Sequence, residues 1–114
     1  MTNNDAYDLL EEYGRWSRLR PEGAYRPPML LPAFARGYML TDEEGMMADR
    51  VVCGMRKRAP ELAQTLIYRF ICRMTYRQIA HEFNMSKYTI SKQLDLAISS
   101  FRISYEAQQH EAKH

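Results

Sequence analysis

Apolar side chains recur every three or four positions in five stretches of this chain, and in a sixth stretch they crowd together without any period. Between Asp5 and Arg20, the residues Tyr7, Leu9, Leu10, Tyr13 and Trp16 predict an amphipathic helix that stops before Pro21. Gly14 in its middle is a weak point, costing about 1 kcal/mol relative to alanine. Thr41, followed by Asp42, Glu43 and Glu44, caps a second helix running to about Arg58, with Met47, Val51, Val52 and Met55 on its apolar stripe. Its Arg56-Lys57-Arg58 ending suits a helix C-terminus and would equally suit DNA phosphates. Pro60 fits the first turn of a third helix whose broad apolar face carries Leu62, Leu66, Ile67, Phe70 and Ile71. The aperiodic stretch, 21–40, holds four of the five prolines. Its Tyr25, Met29, Leu30, Leu31, Phe34, Tyr38, Met39 and Leu40 must pack on the protein itself or on a partner, and a long ordered loop of this kind is usually functional.

The remaining two periodic stretches lie inside Thr75–Leu94 and read as a helix-turn-helix. Thr75 caps a short helix from Tyr76 to about Phe83, and Gln78 completes the capping box. Ile79, Ala80 and Phe83 share one face, Asn84 tolerates a left-handed turn, and Met85 is expected to tuck inward. Ser86 caps a second helix with Ile90, Leu94, Ala97, Ile98 and Phe101 on its apolar face. That helix is expected to reach about Tyr105, with Ile103 among the positions buried against the Thr41–Arg58 helix, and Glu106–His114 to fray. In a helix-turn-helix the first turns of the second helix enter the major groove, which nominates Ser86, Lys87, Tyr88, Thr89, Ser91 and Lys92 as DNA contacts. If the chain keeps helical direction into the motif, Arg69, Arg73 and Arg77 form a basic ridge leading to it, so Arg73 and Arg77 join the set. An ordinary helical hairpin with a solvated polar face is the alternative.

Composition sharpens this. At 114 residues, 46% hydrophobic and 26% charged, the chain fits one small soluble all-α domain, divided into an arm of residues 1–40 and a helical DNA-binding domain of 41–114. The net charge of +2 conceals a split: residues 1–49 carry −4 and residues 50–114 carry +6. The basic half suits a polyanion such as double-stranded DNA. The acidic half suits a basic protein surface or simply solubility. Trp16, beside Arg15 and Arg18, is either a partner anchor or a core residue. Cys53 and Cys72 fall in helical patterns without ligand spacing and are expected as buried thiols, so no metal or cofactor is expected. No catalytic arrangement, glycine-rich phosphate loop or paired carboxylate appears, so an enzyme is not expected. Neither a signal peptide nor a run of roughly 20 apolar residues is present, so a cytoplasmic protein is expected.

Pro60 to about Phe101, with "MTYRQIAHEFNMSKYTISKQLDLA" at its centre, resembles region 4 of bacterial sigma factors and the output domain of response regulators. Together with "LEEYGRWSR" and the proline-containing apolar loop, most of the chain, from about Leu9 to Phe101, resembles the Q antitermination proteins of lambdoid bacteriophages, in the branch without a zinc-binding insertion. That resemblance implies a protein that binds a DNA element at a phage late promoter, transfers onto paused bacterial RNA polymerase with or without sigma factor, and suppresses pausing and termination. In that branch a ring-like extension at the RNA exit channel hinders hairpin formation. Position by position it assigns DNA contact to Ser86, Lys87, Tyr88, Ser91 and Lys92. Polymerase contact falls more loosely on Arg15, Trp16, Tyr25, Met29, Leu30 and Phe34. Two other functions fit the same residues: a dimeric repressor or activator that self-associates on DNA, or a sigma region 4 mimic that binds polymerase without DNA.

Overall fold

Reciprocal hydrogen bonds at helix starts set the architecture. The computed structural model describes residues 1–19 and 40–112. The expected loop contacts Tyr25, Met29, Leu30 and Phe34 lie outside the described residues.

Thr2 opens α1 (Asn3–Leu19): its hydroxyl accepts from Asp5 N at 3.1 Å while the Asp5 carboxylate accepts from Thr2 N at 3.0 Å. Those bonds, the backbone one foremost, hold the Asp5 carboxyl below its usual range. This cap starts the helix two residues before its expected start at Asp5. Thr41 and Glu44 form the same box at α2 (Asp42–Arg58). Pro60 begins α3 (Pro60–Leu66), which widens into a π-helical turn over Ile67–Ile71. The short α4 (Tyr76–Phe83) and the long α5 (Lys87–Ala112) complete an all-helical fold among the described residues. No helix among them is long and apolar enough to cross a membrane.

One large core joins α1, α2, α3 and α5. Leu10, Met55, Leu66, Leu94, Phe101 and Tyr105 are its largest fully buried members, and Leu40 closes one side. The helix expected in the N-terminal arm is therefore packed inside the same core as the rest, with Ala6, Leu9, Leu10, Tyr13 and Trp16 turned inward. Gly14 is a close-approach residue rather than a weak point. A Cβ there would collide with the Phe70 carbonyl of the π turn, so only glycine lets the two backbones meet. Gly45 does the same for the Trp16 ring. Arg18 spans this crossing and donates to the Phe70 and Ile71 carbonyls at 2.7 and 3.1 Å, oxygens that a helix end leaves unpaired.

Several expectations are corrected. Cys53 and Cys72 are exposed, because Cys53 follows the inward pair Val51 and Val52 onto the outer side of α2 and Cys72 lies beyond the π turn. Ile103 is 60% exposed, since the buried face of α5 runs through Ile98, Phe101 and Tyr105 and leaves position 103 opposite. The helix also continues to Ala112 instead of fraying after Tyr105. Asn3 anchors its middle, donating to Ser99 Oγ at 2.9 Å and accepting from Arg102 Nε at 2.8 Å.

Candidate nucleic-acid interface

Three local devices shape α4 and α5 into a pair. Thr75 Oγ1 accepts from Gln78 N at 3.2 Å, and Gln78 Oε1 accepts from Thr75 N at 2.8 Å, which fixes where α4 begins. Asn84 ends it in the left-handed region at φ 54, ψ 48, and Met85 N reaches back to Ala80 O at 2.9 Å. Ser86 Oγ then accepts from Thr89 N at 3.1 Å and starts α5. The result is a three-residue turn between the helices.

A small cluster of Ile79, Ala80 and Ile90 fills the crossing, with Tyr68, Met74 and Phe83 packed around it. Tyr68 meets the Phe83 ring edge-on at 5.8 Å. Met85, expected to tuck inward, is instead exposed: Tyr68, Met74 and Phe83 surround the cluster, and the turn carries Met85 to the surface.

The outward face of α5 carries Lys87, Tyr88, Thr89 and Lys92 exposed and Ser91 half-buried. Tyr88 is 69% exposed, and Lys92 Nζ lies 4.9 Å from its ring centroid, a contact worth about 0.5–1 kcal/mol at an exposed site. Ser86 and Thr89 hydrogen-bond each other at 2.8 Å, so these two hydroxyls serve the cap. Arg77, near the start of α4, and Lys87, at the start of α5, line one shallow groove of about 510 Å³ with Arg69, Thr75 and Tyr76. The first turn of α4 leaves the amides of Tyr76 and Arg77 without helical partners. Arg77 and Lys87, with Arg69 beside them, and a helix N-terminus at one groove suit a phosphate.

The basic ridge expected from Arg69 through Arg73 to Arg77 does not form. The π turn breaks helical direction, and Arg73 takes a left-handed φ of 58°. Arg73 is exposed near Arg18, whose guanidinium is held below its usual value by burial first, then by the neighbouring cations Arg73 and Arg15. Arg69 is an internal brace: it donates to Met74 O at 3.3 Å and Tyr7 Oη at 3.2 Å, and its guanidinium sits 5.4 Å from the Tyr76 ring centroid. It thereby links α1 to the entrance of α4. Tyr7 is half-buried, and that burial pushes its phenol up, against the pull of Arg69.

Of the expected partner residues, Arg15 is exposed with Nη1 3.5 Å from Glu12 Oε2. Trp16 is buried instead: its indole donates to Asp42 Oδ1 at 3.0 Å and its ring covers Gly45 and stacks beside Tyr13 at 6.2 Å. A tryptophan so enclosed is a core residue in this structure and offers no surface anchor. Sequence reasoning missed Tyr76 as a groove residue and missed the convergence of Arg77 with Lys87. The available signal was that both cations stand in the first turn of a capped helix.

Compared with known families, residues 3–108 match the one described as phage antitermination protein Q. No curated protein and no solved structure matches the chain.

Proposed function

We propose that this chain, which belongs to the phage antitermination protein Q family, uses the α4–α5 pair to bind promoter-proximal double-stranded DNA before it loads onto paused RNA polymerase and suppresses pausing and termination. The antitermination role is that of the family. The DNA step is supported above all by one observation: Arg77 and Lys87 line the same groove beside the first turn of α4, next to an outward face of exposed Lys87, Tyr88 and Lys92 with the half-buried Ser91. A solvated hairpin would not need two cations facing one groove. In this reading the groove holds a backbone phosphate, which sets the register, while Tyr88, Ser91 and Lys92 approach base edges. Arg73 would add a further phosphate contact from its turn.

Polymerase contact is assigned to Arg15 and to Tyr25, Met29, Leu30 and Phe34. The acidic charge of residues 1–49 keeps that side away from DNA and favours a basic protein surface. The test is transcription in vitro on a template carrying the phage late promoter and a downstream terminator. Added protein should raise the fraction of transcripts passing the terminator, and removal of the upstream DNA element should abolish the effect. Unchanged termination would overturn the antitermination mechanism, and an effect independent of upstream DNA would overturn the DNA step alone.

A further inference from the structure

Thr65 is fully buried, the one buried polar side chain outside the aromatic residues among those described. Its hydroxyl donates to Glu61 O, one turn back in α3, at 2.8 Å. Its remaining lone pairs face α5, and the Gln93 side-chain amide donates to them at 2.7 Å. Gln93 follows Lys92 directly. It stands between Ile90 of the small cluster and Leu94 and Ala97 of the large core, where α5 passes from one to the other.

We propose that the Thr65–Gln93 hydrogen bond is a positioning device that fixes the rotation of α5 about its own axis and so aims Lys87, Tyr88, Ser91 and Lys92. The inference rests on the reading of α5 as the DNA-contacting helix. Apolar contact at Leu94, Ala97 and Ile98 is less directional than a hydrogen bond, and the bonds that Asn3 and Arg58 make to Ser99, Arg102 and Ser104 lie farther along α5 from the outward face. A hydrogen bond is directional, and turning the helix away would take the half-buried Gln93 amide from its acceptor on the buried Thr65, which would keep only its bond to Glu61. A roll of about 20° moves a side-chain tip 5–6 Å from the axis by roughly 2 Å. That exceeds the tolerance of a base contact, whose useful range spans only about 0.5 Å. Thr65 and Gln93 would touch no DNA themselves and would act through their neighbours.

The test uses the double variant Thr65→Val/Gln93→Met, which replaces both partners by apolar groups of similar shape and leaves neither unpaired, so stability should change little. Wild-type protein first selects its preferred duplex from a random library. Competition between that duplex and a scrambled one then measures discrimination. The double variant should melt within a few degrees of wild type and lose about tenfold in discrimination, the effect of misplacing one base contact. Thr65→Ser, which keeps the hydroxyl, should discriminate as wild type does. If the double variant does not fold, Gln93→Met alone carries the same outcomes, because Thr65 remains bonded to Glu61. Undiminished discrimination in a folded variant overturns the positioning role. A wild-type protein that selects no duplex overturns the DNA-reading premise, and this inference with it, before any variant is made.

Discussion

Two apolar clusters hold the described residues together, and they differ in kind. The large one gathers eighteen buried residues from the stretch before α2 and from α1, α2, α3 with its π turn, and α5; the small one rests on Ile79, Ala80 and Ile90. Burial dominates in the first. In the second, position depends on polar devices: the Thr75–Gln78 box, the left-handed Asn84, the Ser86 cap, the Arg69 brace and the Thr65–Gln93 bond. The large core is held mainly by the shape of its packed side chains, whereas a pair proposed to contact DNA also needs directional bonds to aim it. The long α5 belongs to both clusters, so it carries the orientation of the core out to the face proposed to contact DNA.

The most severe way to probe this difference is to hollow out each cluster. Phe101→Ala should lower unfolding free energy by about 3–5 kcal/mol and loosen every helix together. Ile79→Ala should expose α4 amides to hydrogen exchange while α1 amides stay protected. Equal exchange in α1 and α4 after the Ile79 change would break the distinction between core and head.

Gly14→Ala comes next. Propensity alone predicts a gain of about 1 kcal/mol from this change. The Phe70 carbonyl stands where the methyl would go, so a net loss of about 1–3 kcal/mol is expected by chemical denaturation. A gain would show that α1 does not sit closely on the π turn.

Alkaline pH probes the large core at its polar edge. Burial of Tyr13, then its hydrogen bond to Asp49 at 2.8 Å, pushes the phenol well above its usual value. A group whose folded value is raised adds stability below the unfolded value of about 10 and loses it as pH rises from there. Wild type should therefore lose up to about 1.4 kcal/mol per pH unit more than Tyr13→Phe above pH 10. Parallel curves from urea denaturation at pH 9 and pH 11 would contradict that placement of Tyr13.

The smallest effect has the opposite sign. A Cβ on Gly54 would meet nothing within 4 Å. Gly54→Ala should thus raise stability by about 0.5–1 kcal/mol in a thermal melt and leave both clusters as they are. A loss there would mean that α2 carries a close contact on that side.

Much of this was legible in the residues because caps and turns are local. Thr41, Thr75 and Ser86 each announce a helix start within four residues, and Asn84 announces the left-handed exit. The π turn was not legible, since Ile67, Phe70 and Ile71 carry the apolar pattern of a continuous α-helix. Nor were the roles of Gly14 and Gly45, which are set by Phe70 and Trp16 from distant parts of the chain. Arg69 looked like a surface cation for the same reason: its partners Tyr7 and Tyr76 come from two other helices. Of the candidate site, the outward residues of α5 could be read from helical spacing, whereas the groove that joins Arg77 to Lys87 depends on how two helices cross.

The most direct measurement compares wild type with Lys87→Glu/Lys92→Glu for binding to the selected duplex, by fluorescence anisotropy alongside a thermal melt. The account predicts an unchanged melting temperature, because both lysines are exposed outside either cluster, and a loss of affinity of about a hundredfold or more, since two contacts worth about 1–3 kcal/mol each become repulsive. A folded variant that binds the duplex as tightly as wild type would contradict it.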